Sequence, residues 1–104
     1  MKVYLSPLAE YKFEKLLEYL EFEWGNSVKK NYLKLFEQKS DVISEFPYSN
    51  PKIQGFDNVL RCVITVQSSF YYRVLDDEIE IITTTDNRQN PEKILSKIKR
   101  YFQE

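Results

Sequence analysis

The first half of the chain carries apolar residues at helical spacing. A short apolar run, Lys2 to Leu5, precedes Ser6 and Pro7, which have the form of a helix N-cap followed by proline at the first helical position. Two apolar stripes follow, separated by Gly25 and ended by Pro47. Their members are Phe13, Leu16, Leu17, Leu20 and Trp24, then Val28, Tyr32, Leu35, Phe36, Ile43 and Phe46. The pattern predicts a strand followed by an αα-hairpin.

The second half changes to a period of two. After a loop over 47–58, the runs VLRCVITV (59–66), SFYYRVL (69–75) and EIEIITTT (78–85) predict three strands. Asn90 and Pro91 then begin a last amphipathic helix. The order β-α-α-β-β-β-α predicts one α+β domain over residues 1–104, an antiparallel sheet with the αα-hairpin packed on one face.

A turn at Asp76-Asp77 fixes the register of the last two strands and places Arg73 opposite Glu80. One face, predicted to lie under the hairpin, comprises Leu60, Cys62, Ile64, Val66, Phe70, Tyr72, Val74, Ile79, Ile81 and Thr83. The open face comprises Arg61, Val63, Thr65, Tyr71, Arg73, Leu75, Glu80, Ile82, Thr84 and Asp86. Apolar groups beside arginines are typical of a partner surface. The alternative is that the C-terminal helix covers this face.

Composition narrows the chemistry. Fifteen basic and sixteen acidic residues give a net charge of -1, so the chain as a whole lacks the positive charge that is typical of a nucleic-acid binder. This overall charge does not exclude a local basic face. The chain has no histidine, and its one cysteine, Cys62, lies in an apolar run. We expect a cytoplasmic protein with no metal, no cofactor and no membrane association. All four arginines lie in the second half, at Arg61, Arg73, Arg88 and Arg100.

Several stretches together resemble the RelE/ParE family of toxins from bacterial type II toxin–antitoxin systems. They are SPLAEYKFEKLLEYLEFEWG (6–25), Ile43 to Pro47, Asn50-Pro51, Arg61 at a strand start, YYRVLDDEIEI (71–81) and DNRQNPEK (86–93). The resemblance covers nearly the whole chain. It implies a plasmid-stabilisation type of toxin that arrests growth until a cognate antitoxin binds it.

The family has two branches, and the resemblance implies different residues for each. RelE-like members cleave mRNA on the ribosome with an arginine on the central strand, an arginine after the last strand and a Tyr or His beyond it. In this chain Ser69 stands at the position of the central-strand arginine, and Ile94 stands at the position of the Tyr or His. Arg88 matches the arginine after the last strand. Asp86 stands where many ParE-like members carry a histidine. The pattern favours ParE-like inhibition of DNA gyrase by binding.

The residues expected to contact a target are Arg88, Arg61, Arg73 and Asp86. The expected antitoxin or partner surface is Val63, Tyr71, Leu75 and Ile82 with Arg61 and Arg88. Asp86 and Arg73 each have a structural alternative, since Asp86 can fix Arg88 and Arg73 can pair with Glu80. Two other functions stay open: a ribosome-dependent endoribonuclease that uses Arg61 and Arg88, and a family member that has lost toxicity.

Overall fold

Seven elements follow one another in the predicted order in a computed structural model that describes residues 1–103. They are β1 (Lys2–Leu5), α1 (Pro7–Trp24), α2 (Asn26–Glu45), β2 (Leu60–Thr65), β3 (Ser68–Val74), β4 (Glu78–Asp86) and α3 (Pro91–Gln103). The predicted α+β class is confirmed. No helix among these residues combines the length and the apolar character needed to cross a membrane.

The helix boundaries are set by the residues that the sequence singled out. The Ser6 hydroxyl accepts a hydrogen bond from the backbone N–H of Ala9 at 3.0 Å and donates one to the Ile82 carbonyl at 2.7 Å. Ser6 therefore starts α1 and ties it to β4. Gly25 separates α1 from α2 with a φ of 91°, a conformation that disfavours side chains with a Cβ. The Asn90 side chain accepts from the backbone N–H of Glu92 at 2.9 Å and caps α3.

The sheet is mixed, with strand order β1-β4-β3-β2. Strands β2, β3 and β4 form the predicted antiparallel meander, and β1 pairs in parallel with β4, from Lys2 opposite Glu78 to Leu5 opposite Ile81. The helical hairpin and two further strands separate β1 from β4, a connection long enough for parallel pairing. The prediction of an antiparallel sheet is corrected in this respect: the short run KVYL carries no register signal, so the sequence pattern did not place β1.

A β-bulge changes which side chains share a face. Arg73 lies opposite Glu80 as predicted, but Tyr72 pairs with Ile81 and Tyr71 with Thr83, so Ile82 is an extra residue in β4. Beyond this point the faces of β4 are exchanged. Thr84 pairs with Phe70 and Asp86 with Ser68, so both lie on the hairpin face, whereas Thr83 lies on the other face. The predicted faces of these three residues were wrong.

A second irregularity lies at the end of β2, between Val63 and Thr65. Thr65 pairs with Ser68 and thus joins the hairpin face instead of the open face. Val66, predicted to be in the core, lies in the β2–β3 turn with 93% of its surface exposed. The strand ends one residue earlier than the apolar run because the chain must reverse direction before Ser68.

Each face of the sheet carries its own apolar cluster. The hairpin face packs Phe70, Tyr72 and Ile81 against the helical hairpin. On the opposite face α3 buries Ile94 and Ile98 against Tyr71 and Ile82. The C-terminal helix therefore covers the face that was expected to be open. This is the alternative arrangement stated in the sequence analysis.

Candidate partner-binding site

Arg88 and Asp86 form an exposed ion pair in the turn after β4. The guanidinium donates from Nε to both Asp86 carboxylate oxygens at 3.1 and 3.2 Å, and from Nη2 to Oδ2 at 2.7 Å. The Arg88 backbone N–H donates to Oδ1 at 2.8 Å. These hydrogen bonds from the Arg88 side chain, and then its backbone, lower the pKa of Asp86. The Arg88 side chain remains 74% exposed, so it is held in place and still accessible.

Arg73 makes the same kind of pair in a different setting. Its Nε donates to Glu80 Oε1 at 2.7 Å, and Glu80 is only 7% exposed. The other Glu80 oxygen accepts from the Tyr101 hydroxyl at 3.1 Å and from the Tyr4 hydroxyl at 3.4 Å. The Arg73 guanidinium also lies 5.0 Å from the centre of the Phe102 ring. This network joins β1, β3, β4 and α3. Arg73 therefore has the structural role, pairing with Glu80, that the sequence offered as the alternative to target contact.

Arg61 reaches from β2 across the sheet to Asn87. Its Nη2 donates to the Asn87 side-chain oxygen at 3.1 Å, and the Ser69 hydroxyl donates to the same oxygen at 2.6 Å. Asn87 also donates to the carbonyls of Thr65 and Val66, so it holds the β2–β3 turn against the end of β4. Arg61 Nε is buried and has no hydrogen-bond partner among residues 1–103.

The residues expected to form one partner surface do not lie together. Tyr71 is 5% exposed and Ile82 is fully buried, because α3 packs on both. Val63 is 44% exposed near one end of β2, while Leu75 is half-buried beside the β3–β4 turn at the other end of the sheet. The proposed surface of Val63, Tyr71, Leu75 and Ile82 is therefore corrected: its central members are core residues of this fold.

A groove of about 880 Å³ lies on the hairpin side of the sheet. We call it the hairpin groove. Its walls are α1, α2, the β2–β3 turn and the end of β4, and Arg88 stands at its rim. Its apolar lining is formed by Leu16, Tyr19, Leu20, Trp24, Val28, Tyr32 and Leu35. Trp24, assigned to the core stripe of α1, is 66% exposed here.

The sequence carried one signal for the hairpin groove that the prediction did not use. Tyr19 and Trp24 lie five residues apart on α1, outside the positions that pack into the core, and both are more than half exposed. Val28 and Leu35 continue the apolar surface onto α2 and are also exposed. An apolar surface of this size on a small protein is typical of a binding site for another macromolecule.

Two lysines and one ion pair set the charge at the rim of the hairpin groove. Lys12 on α1 and Lys97 on α3 line it, together with Arg88 and its partner Asp86. Burial, and secondly the positive charge of Lys97, lower the pKa of Lys12. Because Arg88 is balanced by Asp86, the two lysines leave the rim with an excess of positive charge.

The described residues contain few groups suited to proton transfer near neutral pH. Burial raises the pKa values of Tyr32, Tyr72 and Tyr101 above that of free tyrosine. The hydroxyls of Tyr32 and Tyr72 are also hydrogen-bonded, to Ser68 and to the Pro47 carbonyl, each at 2.7 Å. Residues 1–103 contain no cluster of His, Cys, Asp and Glu that could hold a metal ion.

Comparisons with known proteins identify the fold. No protein-family model and no curated protein matches the sequence. Among solved structures, the chain is similar to the YoeB dimer from Staphylococcus aureus, with 15% identity over 82% of this chain and 94% of that one and a TM-score of 0.62. The chromosomal ParDE TA system from P. aeruginosa gives 14% identity, 83% and 95% coverage and a TM-score of 0.67.

A third solved structure is described as a YoeB/ParE toxin from Agrobacterium tumefaciens. The two sequences are 14% identical, the match covers 84% of this chain and 99% of the toxin, and the TM-score is 0.64. At such identities the likeness concerns the fold, which is the fold of these toxins across more than four-fifths of the chain. The expected RelE/ParE-like architecture is confirmed.

Proposed function

We propose that this chain is the toxin of a type II toxin–antitoxin pair, neutralised by a cognate antitoxin and acting in the cytoplasm. The observation that carries the proposal is the combination of a toxin fold with an exposed apolar groove. The solved structures that share the fold are described as YoeB, ParDE and YoeB/ParE proteins. The hairpin groove supplies a surface for the partner that such a system requires.

The antitoxin segment that binds the hairpin groove is apolar on the side that faces Leu16, Leu20 and Trp24. The groove is bordered by two helices and lined by apolar side chains, a surface that suits an amphipathic helix, which binds through apolar residues spaced at three and four positions. This surface replaces the face of β3 and β4 that the sequence had suggested, because α3 already covers that face.

The toxin acts on its target by binding, in the manner of ParE on DNA gyrase. Ribonuclease chemistry at the 2′-hydroxyl requires an acid, a base and a cation in reach of one phosphate. Ser69, at the position of the nuclease arginine, is fully buried, and Ile94, at the position of the final Tyr or His, is a buried residue of α3 that packs against the sheet. Arg88 is the best-placed contact for the target because it is exposed and held by Asp86.

A ribosome-dependent endoribonuclease is the second candidate, and one observation favours it. The Arg61 guanidinium and the Ser69 hydroxyl meet at the same Asn87 oxygen. An arginine from β2 thereby lies close to the position on β3 where the nuclease pattern has its own arginine. If Arg61 binds the scissile phosphate, the missing partner is a proton donor.

Pulse labelling after induced expression in a bacterial host tests the proposal. Protein synthesis and DNA synthesis are followed together, and purified chain is added to a gyrase supercoiling reaction. We expect DNA synthesis to fall first and supercoiling to be inhibited. An early fall of protein synthesis with cleaved mRNA would instead establish the endoribonuclease. Unchanged growth, with folded protein present, would leave the non-toxic family member as the better account.

A further inference from the structure

Lys12 and Lys97 both lie beside a part of β4 that has no neighbouring strand on its β1 side. Strand β1 ends with Leu5 opposite Ile81, and β4 continues to Asp86. Within residues 1–103, no strand extends β1 along Thr83 to Asp86. Helix α1 brings Lys12 to this edge from the hairpin side, and α3 brings Lys97 from the opposite side of the sheet.

Neither lysine forms an ion pair in the described part of the chain. The ion pairs formed by residues 1–103 use Lys15, Lys29, Arg73 and Arg88. Both lysines are only partly exposed. The positive charge of Lys97 disfavours the charged form of Lys12, so the free protein gains nothing from their proximity.

We propose that Lys12 and Lys97 form a carboxylate-binding site, which receives an Asp or Glu side chain of the segment that occupies the hairpin groove. The inference rests on the proposed function, since it names the chemistry by which the antitoxin is recognised. The two ammonium groups neutralise the carboxylate and donate hydrogen bonds to its oxygens.

The surroundings favour a protein carboxylate over a nucleic-acid phosphate. Beside the lysines, the hairpin groove presents Leu16, Leu20 and Tyr32, which suit the apolar side chains of a peptide. A single acidic side chain set among apolar residues matches this distribution.

The first test needs no ligand. Lys12→Met and Lys97→Met keep the length of the side chain and remove one of the two repelling charges. We expect each to raise the unfolding temperature by about 2 °C. Lys15→Met and Lys99→Met are matched controls on the exposed surfaces of the same two helices and should leave it unchanged. A fall for both site variants would show that the lysines stabilise the free fold, and would overturn the inference.

The second test measures binding of the small protein encoded beside the gene for this chain. Lys12→Glu and Lys97→Glu should weaken its affinity at least tenfold, while Lys15→Glu and Lys99→Glu should not. Exchanging one acidic residue of the antitoxin for lysine should restore affinity for a Lys→Glu variant. Equal affinity for all four variants would overturn the carboxylate site and leave the proposed function standing.

If the neighbouring protein does not bind wild-type chain, the proposed antitoxin pairing fails and the site is tested with simple probes. Hexaglutamate, inorganic phosphate and a single-stranded oligonucleotide are titrated into wild-type chain and Lys12→Met. Stabilisation by hexaglutamate that Lys12→Met abolishes would support a carboxylate site. A preference for phosphate or for the oligonucleotide, or no effect of Lys12→Met, would overturn it.

Discussion

Two arginine–carboxylate pairs in this molecule share one chemistry and differ in nearly everything else. Arg73 and Glu80 lie on adjacent strands, with 31% and 9% of their side chains exposed. Arg88 and Asp86 lie two residues apart in a turn, with 74% and 40% exposed. The first pair is braced by the hydroxyls of Tyr4 and Tyr101, whereas the second faces the rim of the hairpin groove.

The comparison shows that burial indicates which of two similar ion pairs stabilises the fold and which is accessible to a partner. Removing one member of a buried pair leaves a charge that cannot be fully hydrated, so the pair is needed for stability. An exposed pair contributes little to stability, because water and salt screen it. Selection for the fold therefore explains Arg73 and Glu80, while Arg88 and Asp86 need another explanation, which the proposed target contact supplies.

The largest expected effect on stability belongs to Glu80→Ala. The substitution removes the acceptor for Arg73, Tyr101 and Tyr4 at once. We expect the free energy of unfolding to fall by about 2 kcal/mol, less than for a fully buried pair, because Arg73 is partly hydrated. Urea unfolding of wild type, Glu80→Ala and the control Asp86→Ala measures it. Equal losses for the two variants would remove the distinction between the pairs.

Tyr101→Phe isolates the part of the network that fixes α3 to the sheet. It removes one hydrogen bond to the Glu80 carboxylate and keeps the ring, so we expect a loss of about 1 kcal/mol at neutral pH. Hydrogen exchange should increase in α3 more than in α1. If exchange rises equally in both helices, the bond supports the whole fold and does not serve as a local attachment of α3.

The same tyrosine gives the network a dependence on alkaline pH. Burial, and then the negative charge of Glu80, raise the pKa of Tyr101 above its ordinary value of 10.0. The neutral hydroxyl is favoured in the folded state, so its contribution is complete below pH 10 and is lost as the pH rises through the folded pKa. Wild type should therefore lose stability above pH 10 more steeply than Tyr101→Phe. Parallel pH profiles would contradict the hydrogen bond.

The periodicity of the sequence predicted the elements and the faces of the sheet only as far as the backbone stays regular. Arg73 faces Glu80 because the Asp76-Asp77 turn fixes the register locally. Beyond the bulge at Ile82 every later residue of β4 changes face, and nothing in the run EIEIITTT marks where the extra residue falls. Asp86 was therefore placed on the wrong side of the sheet.

In the candidate site, too, the sequence predicted contacts between residues close in the chain and not those between distant residues. The Asp86–Arg88 pair was predictable because a spacing of two residues in a turn brings the side chains together. Lys12 and Lys97 come from helices at opposite ends of the chain, and their meeting depends on how α1 and α3 flank β4. A single sequence does not specify that packing, so the hairpin groove emerged only from the fold.

The contribution of Asp86 to stability should depend on pH more weakly than that of Tyr101, and it should do so at acid pH. Hydrogen bonds from the Arg88 side chain and backbone lower the pKa of Asp86 below its ordinary value of 3.8. The contribution is present above that pH and is lost as the pH falls through the folded pKa. Unfolding temperatures of wild type and Asp86→Asn should differ slightly at pH 6 and converge near pH 2. A constant difference across this range would mean that the ion pair is not its source.

Arg88→Ala should have the smallest effect on stability and the largest on function. Its side chain is exposed and contacts Asp86 in the same turn, so the unfolding temperature should match that of wild type within error. Growth arrest should be lost, because the target contact is removed. Arg100→Ala, an exposed arginine on α3, is the matched control and should retain growth arrest. If Arg88→Ala remains toxic, Arg88 lies outside the target interface, and exposure alone does not identify the functional pair.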